Sequence, residues 1–357
     1  MHFSADTMFP GDLYDAASRF ASAAAAKLDR AAERQDGWRQ AVAMGWPALL
    51  VDEARGGAGG TLADLGAVVE ACARQGLALP LVRRCALAPA MLMAAGGEAA
   101  DGLLRALCAG EVDIEVAGAA PLALTPRPGG GVRLDGRLEQ VDAALPFTHL
   151  LVTVAEHLLL LPRAALPAPA ARYAGIDGGE GADLLLAGLE LPAAAVLQTG
   201  AKARAAAVAG ADLATLVTAI EIAATLGATL EHCIEHLSTR IQFGAALSSF
   251  QVLRHRVVDS YVQYESASVL LARLVLDTAS HGRLASRDAA LCKLYLNDLA
   301  RRGAESAIQL HGAMGMTAEL PAARLARRLL CAEFEQGDRR QQLARLQALA
   351  PADELTA

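Results

Sequence analysis

The chain has 357 residues, a length that allows two or three domains with a substantial core and excludes a single small module. Hydrophobic residues make up 54% and aromatic residues only 4%, so the core must be built from alanine, leucine and valine, which favours packed helices. The net charge is −7 and the basic residues are scattered among acidic ones, which argues against nucleic acid as the main partner.

The N-terminal part of the chain shows a helical pattern. Between residues 11 and 117, apolar positions recur three and four apart, with breaks at residues 45–47, 55–60 and 77–80. The sequence therefore predicts an N-terminal helical domain over residues 1–117.

The pattern changes near Gly118. From there to Leu197, short apolar runs are bounded by glycine, proline and aspartate, which predicts a small β domain over residues 118–197. After Thr199 helical periodicity returns in four long segments, and long helices joined by short links pack as an antiparallel bundle. The predicted fold is mostly α with a small β insert, and its C-terminal four-helix bundle covers residues 198–357. The four helical segments are residues 203–239, 248–280, 286–310 and 321–349.

The first 20 residues contain no basic region followed by an apolar run, and no stretch of about 18 uncharged apolar residues occurs in the sequence. We therefore expect a cytoplasmic protein without a membrane span. The cysteines lie singly and far apart, which is typical of buried reduced thiols. They are Cys72, Cys85, Cys108, Cys233, Cys292 and Cys331.

One short motif has the spacing of a zinc site. His232, Glu235 and His236 spell H-x-x-E-H on a predicted helix. No third ligand follows and the charges alternate, so a solvated helix face is the preferred interpretation, with a metal-dependent hydrolase as the remote alternative.

Two short segments interrupt the C-terminal helical pattern. RIQFGAALSSFQ, residues 240–251, lies where one long helix stops and the next begins. QLHGAMGMT, residues 309–317, ends the third helix with two glycines three residues apart, beside Gln309 and His311. Such an end leaves backbone N–H groups free and predicts close approach to a phosphate-bearing ligand, with an ordinary helix cap and turn as the alternative.

These segments together resemble the C-terminal domain of the acyl-CoA dehydrogenase family. GWPALLVDEARGGAGGTLADLGAVVEACARQG, residues 45–76, is similar to that family's N-terminal segment, and LPAAAVL, residues 191–197, to the stretch that leaves its β domain. The resemblance extends over essentially the whole chain. It implies a flavin-dependent enzyme of lipid metabolism.

The resemblance also implies FAD as the cofactor and assigns residues to it. Arg240 matches the family arginine that contacts the FAD pyrophosphate, Phe243 matches the aromatic residue near it, and Gln251 matches the glutamine at the adenosine end. In this family the flavin site is shared between subunits, so a homo-oligomer, dimer or tetramer, is implied. The residues matching the family's Q-x-x-G-G segment include Gln309, Gly312 and Ala313.

The implied reaction removes the α-proton of an acyl-CoA with a glutamate while the β-hydride passes to the flavin, giving a 2,3-enoyl-CoA. Glu335, in EFEQGD, aligns with the family's glutamate base, whereas a shift by one residue would put Gln336 there. Some members carry the glutamate on the first bundle helix, where this chain has Ala214. Glu335 is therefore the predicted base, and a further charge on a solvated helix face is the alternative.

The β domain departs from the family pattern. ALTP, residues 123–126, leads almost directly into VRLDG, so the loop that covers the flavin ring is missing, and QVDAA, residues 140–144, replaces the strand packed on that ring. The alternative function is therefore a non-catalytic subunit that completes the flavin site of a paralogue in a hetero-oligomer. For the enzyme, the resemblance implies electron-transfer flavoprotein or a similar acceptor, and bulky substrates such as steroid side chains.

Overall fold

The computed structural model describes residues 4–25, 31–117, 122–317 and 319–350. The helices in these residues are α1 (Asp12–Ala25), α2 (Ala31–Ala43), α3 (Leu62–Arg74), α4 (Ala88–Ala95), α5 (Glu98–Cys108), α6 (Gly200–Thr239), α7 (Gln251–His281), α8 (Ser286–His311), α9 (Pro321–Ala332) and α10 (Arg339–Leu349). The strands are β1 (Ile114–Val116), β2 (Ala123–Pro126), β3 (Val132–Asp142), β4 (His149–Val154), β5 (His157–Pro162), β6 (Ala171–Ala174), β7 (Glu180–Leu191), β8 (Val196–Thr199), β9 (Ile241–Gln242) and β10 (Ala245–Ala246).

The chain forms two compact units. The helical unit contains Met1–Ala26, Leu62–Ala78 and Thr215–Ala357, and the mixed unit contains Lys27–Thr61 and Leu79–Ala214. Mostly helical structure with a β insert is thus confirmed. The predicted start of the β domain, Gly118, lies outside the described residues, and the domain limits at 117 and 197 stay a prediction.

The mixed unit contains two four-stranded sheets. One has the order β1-β4-β5-β8, with β1 parallel to β4 and the other pairs antiparallel. The other is antiparallel throughout, with the order β2-β3-β7-β6. Alternate residues of β3, such as Val132, Leu134 and Leu138, are buried together with leucines and valines of β4, β5 and β7. The inward faces of both sheets therefore share one apolar core.

The helical unit is built around α8, which packs against α7, α9 and α10, while α1 packs against α3. Small residues allow close helix contacts. A Cβ atom on Gly303 of α8 would lie 2.1 Å from Leu226 Cδ2 of α6, and one on Gly227 of α6 would lie 2.7 Å from the Tyr264 ring of α7. This agrees with a core assembled largely from alanine and leucine.

Among the described helices, α6 is long and apolar enough to cross a membrane by length and composition. The apolar window is 89% buried inside the structure. A buried core helix passes the same test, so this is weak evidence for a membrane span.

The prediction that residues 321–349 form one continuous helix, the fourth of the bundle, is wrong. Instead α9 ends at Ala332 and α10 begins at Arg339. Gln336 (φ 55°) and Gly337 (φ 99°) adopt left-handed conformations that a continuous helix does not contain. Asp338 then starts α10 with a capping box: its carboxylate accepts from the Gln341 N–H at 2.8 Å, and its own N–H donates to Gln341 Oε1 at 2.9 Å.

We expect Asp338→Ala to destabilise the protein by about 1 kcal/mol, because the N–H groups that begin α10 lose their acceptor. Asp338→Asn is the matched control, since an asparagine side chain caps a helix almost as well. Urea unfolding monitored by circular dichroism measures both. Equal destabilisation by the two variants would contradict a capping role.

Candidate functional site

The turn between α6 and α7 carries three of the predicted cofactor residues. The Arg240 N–H donates to the His236 carbonyl at 2.9 Å, which continues α6, and β9 and β10 then form a two-residue hairpin around Phe243 and Gly244. Both turn residues have positive φ, 54° and 78°, as a type I′ turn requires. The hairpin is closed where the Leu247 N–H donates to the Arg240 carbonyl at 2.9 Å.

Phe243 is unusual in two respects. Its side chain is 92% exposed, and its left-handed backbone conformation is strained for a bulky residue. It contacts Phe250 edge to face, with the ring centroids 6.2 Å apart, directly before Gln251 begins α7. An exposed aromatic ring on a strained turn indicates a contact with a ligand or a partner.

The end of α8 carries the second group of predicted cofactor residues. Gly312 ends the helix with φ 59° and ψ −141°, a conformation essentially limited to glycine, and its N–H donates to the Gln309 carbonyl. Gly315 is buried so tightly that a Cβ atom would lie 2.6 Å from the Ile308 carbonyl oxygen. Gln309, Gly312 and Ala313 are exposed to solvent.

Two histidines bring the ends of α6 and α8 together. The rings of His236 and His311 lie 4.5 Å apart between centroids, with an interplanar angle of 32°. The His311 Nδ1–H donates to the Ala307 carbonyl at 2.9 Å, which fixes that ring. Burial, and next the charges of His311 and Arg240, lower the pKa of His236. The two segments singled out in the sequence therefore lie side by side.

Arg240 places a guanidinium at the surface beside these helix ends. Its side chain is exposed and makes no ion pair or hydrogen bond with any residue that the structure describes. We call the exposed residues at these two helix ends the Arg240 surface. They are Arg240, Phe243, Gln251, Gln309, Gly312 and Ala313.

Glu335 lies at a different place, in the break between α9 and α10. Both of its carboxylate oxygens accept from the Arg328 guanidinium, at 2.6 and 2.8 Å. Arg328 Nε donates to Glu221 of α6 at 2.6 Å. Burial opposes the charge of Arg328, but Glu221 and Glu335 outweigh it and raise the pKa of the guanidinium. Glu335 is thus a partly exposed carboxylate, 35% accessible, in a bidentate ion pair.

The mixed unit contains a buried charge cluster that the sequence analysis did not single out. Arg84, in a π-helical turn over Val82–Leu87, donates through Nε to Glu115 at 2.8 Å and through Nη1 to Asp113 at 2.9 Å. Arg84 and Glu115 are fully buried. The available signal was the pair of arginines in the apolar stretch PLVRRCALAPA. A π-helical turn with buried charges is frequently a functional feature.

Asp142, the middle residue of QVDAA and the last residue of β3, lies near this cluster. One of its oxygens accepts from the Ala144 N–H at 2.8 Å. Burial, and next the charge of Glu115, raise the pKa of Asp142, while Arg84 and Arg83 oppose the shift. A carboxylate therefore occupies the segment that replaces the strand which the resemblance implies is packed on the flavin ring.

The H-x-x-E-H motif lies near the end of α6. In the described part of the chain, no group of three or more histidine, cysteine, aspartate or glutamate side chains is placed to hold a metal ion. Burial lowers the pKa of His232 more than Glu235 and Glu231 raise it. All six cysteines are free, and four of them are buried, as the sequence indicates.

Comparison with known proteins decides the family. A profile of the acyl-CoA dehydrogenase N-terminal domain matches residues 11–111, and a profile of its C-terminal domain matches residues 205–348, together more than half of the chain. This chain belongs to the acyl-CoA dehydrogenase family. The resemblance inferred from the sequence is therefore confirmed, and the family is flavin-dependent.

Similarity to individual family members is moderate. The Bacillus subtilis protein described as probable acyl-CoA dehydrogenase YngJ is 29% identical over 169 residues, which are 46% of this chain and 43% of that protein. The first curated relatives are matched over less than half of their own length.

Solved structures of acyl-CoA dehydrogenases match almost the whole fold. Butyryl-CoA dehydrogenase from Megasphaera elsdenii superposes with a TM-score of 0.83 at 21% identity, covering 98% of this chain and 99% of that one. The ChsE4–ChsE5 complex from Mycobacterium tuberculosis gives a TM-score of 0.80 at 22% identity, covering 97% and 100%. At these identities the structures establish the fold alone.

We expect Arg328→Met to destabilise this protein by about 2 to 3 kcal/mol, because two carboxylates would lose their shared cation. The expected loss is smaller than for a fully buried pair, since Glu335 is partly exposed. Arg324→Met, on the exposed side of α9, is the control and should unfold at nearly the wild-type urea concentration. Equal midpoints for the two variants would show that the ion pair contributes nothing measurable.

Proposed function

We propose that this chain is an FAD-dependent acyl-CoA dehydrogenase that introduces an α,β double bond into an acyl-CoA thioester. The observation that carries the proposal is the Arg240 surface. There an exposed arginine, without an acidic partner among the described residues, precedes a strained hairpin beside the glycine-terminated end of α8. A diphosphate needs a fixed cation and free amide donors, and guanidinium geometry matches phosphate oxygens.

The residues of the Arg240 surface fit the diphosphate and adenosine part of FAD. Arg240 would contact the diphosphate, Gln251 the adenosine end, and the segment from Gln309 to Ala313 would offer backbone donors. Phe243 would cover the bound group with an apolar ring. FAD, when bound, supplies the acceptor for the β-hydride.

Glu335 is the proposed base for the α-proton. It accepts two hydrogen bonds from Arg328, and an ionised carboxylate is the form able to accept a proton. They also occupy both oxygens, so one of these bonds must lengthen when the substrate α-carbon approaches. Glu335 would therefore exchange an ion-pair contact for a proton during the reaction.

We also propose that the protein assembles as a dimer or tetramer in the cytoplasm and passes electrons to electron-transfer flavoprotein or a similar acceptor. Exposed apolar side chains along α7 support self-association. They include Val258, Val262, Val269 and Leu276.

A second candidate is a non-catalytic subunit that completes the flavin site of a paralogue. Two observations favour it. Asp142 puts a carboxylate near Glu115 in the segment that replaces the ring-packing strand, and Glu335 is engaged by Arg328 rather than free. Arg240 fits this candidate equally, because a site shared between subunits needs its cation even from an inert partner.

The first test measures the flavin absorbance of the wild type and of Glu335→Gln. For the enzyme, we expect a yellow protein whose flavin absorbance bleaches on anaerobic mixing with one of a panel of straight-chain and bulky acyl-CoA thioesters. Glu335→Gln should keep the flavin and slow the bleaching by about 10² to 10⁴-fold, the usual effect of losing a general base, as stopped-flow absorbance measures.

Glu319→Gln is the matched control, because Glu319 is exposed and precedes α9, and it should bleach at the wild-type rate. Unchanged bleaching in Glu335→Gln would remove Glu335 as the base. A wild-type protein that stays colourless with excess FAD, or that no thioester bleaches, would favour the non-catalytic subunit.

The second test concerns FAD retention. Arg240→Ala should weaken FAD binding by roughly 10 to 150-fold, because a charge-assisted phosphate contact contributes on the order of 1.5 to 3 kcal/mol. Arg256→Ala, an exposed arginine on α7, is the control. Fluorescence titration of the apoprotein with FAD measures both affinities. Equal affinities would mean that Arg240 does not contact the cofactor.

A further inference from the structure

Lys293 is a fully buried lysine on α8 that the proposed mechanism does not use. Its ammonium donates to the Ala332 carbonyl at 3.0 Å, to the Glu333 carbonyl at 3.2 Å and to Oδ1 of Asn297 one turn along α8. A buried ammonium is costly unless its N–H groups find acceptors. Here three N–H groups meet three oxygens.

These contacts lie at the break between α9 and α10. The carbonyls of Ala332 and Glu333 belong to the end of α9, where a helix leaves its last carbonyl groups without intrahelical partners. Asn297 Nδ2 donates to the Gly337 carbonyl at 3.1 Å, at the other end of the break. Lys293 and Asn297 therefore hold both ends of the segment that carries Glu335.

The segment needs such support because its backbone is strained. Gln336, directly after Glu335, has φ 55°, and Gly337 has φ 99°. A non-glycine residue in the left-handed region costs of order 1 to 3 kcal/mol and persists only where its surroundings enforce it. The contacts from α8 act here together with Gln342 of α10, whose Nε2 donates to the Gln336 carbonyl at 2.6 Å.

We propose that Lys293, together with Asn297, is a positioning residue that fixes the backbone of the Glu335 segment and so places the carboxylate for proton abstraction. The proposal rests on the proposed function, in which Glu335 is the base. Lys293 is buried and does not touch the substrate; it acts through the carbonyl groups of the segment.

The ammonium of Lys293 also interacts electrostatically with Glu335 and with the charged residues near it. Burial lowers its pKa to about 8, while Glu335, Glu333 and Glu221 resist that shift and Arg328 adds to it. Below that pH the ammonium has three N–H groups for its three acceptors. Above it the neutral amine has two, so one contact of the segment is lost as the pH rises.

The experiment compares Lys293→Met with the wild type as the full-length, flavin-loaded protein, using the thioester that bleaches the wild-type flavin fastest. We expect flavin reduction to slow by about 10²-fold, the effect of displacing a catalytic group by about 1 Å, with little change in the half-saturating thioester concentration. The wild-type rate should fall as the pH rises through about 8, and Lys293→Met should lack that inflection.

Two further variants separate positioning from general damage. Asn297→Ala leaves the ammonium and its two backbone contacts, so it should slow reduction less and retain the inflection near pH 8. If Lys293→Met does not fold, the flavin-reduction rate and the hydrogen exchange of Asn297→Ala test the positioning role instead. Lys202→Met, an exposed lysine on α6, should behave as the wild type in rate and pH profile.

Amide hydrogen exchange gives a measurement that does not depend on activity. We expect exchange over residues 333–342 to become faster in Lys293→Met and in Asn297→Ala, and exchange over residues 98–108 to stay unchanged. Wild-type exchange over residues 333–342 in both variants, or an unaltered rate and pH profile in Lys293→Met, would overturn the proposal. A wild type that no thioester bleaches would refute the proposed function, and exchange would still decide whether Lys293 holds the segment.

Discussion

The ion pairs of Arg328 are the interaction on which the arrangement of the C-terminal helices depends. This guanidinium lies on α9 and binds Glu221 of α6 on one side and Glu335, after the end of α9, on the other. One cation thereby links two helices and the break before α10. A buried ion pair adds little stability compared with apolar packing, but removing one partner is costly, so we infer that it defines which elements meet.

The second constraint is the free-energy cost of the exposed and strained residues in the Arg240 surface. Phe243 combines a strained backbone with an almost fully exposed ring, and Arg240 beside it has no described acidic partner. Neither feature stabilises the isolated chain. Both become favourable when an anion and an apolar surface cover the hairpin, as a diphosphate cofactor or a neighbouring subunit would.

The β domain carries the observations that separate an enzyme from an inert partner. Asp142 lies in the middle of the segment that replaces the family's ring-packing strand, and it interacts electrostatically with the buried pair of Arg84 and Glu115. A buried carboxylate close to another carboxylate disfavours a further negative charge nearby, such as that of a reduced flavin ring. The Arg240 surface is therefore compatible with both proposals, whereas this part of the β domain favours the inert partner, because a diphosphate site would persist even where the surroundings of the flavin ring had changed.

The sequence by itself determined the mostly α fold, the β insert, the family and the two helix-end segments, because helical periodicity and glycine breaks are local properties. It also located residues 309–317 as a special helix end, which Gly312 confirms. It failed at the break in residues 321–349, where α9 and α10 both have helical composition and the left-handed Gln336 is imposed by neighbours. Only the tertiary structure showed that Lys293 binds the carbonyl groups at that break, that Arg328 pairs with Glu335 and that Arg84 pairs with Glu115. Contacts between groups distant in the sequence leave no periodic pattern in it.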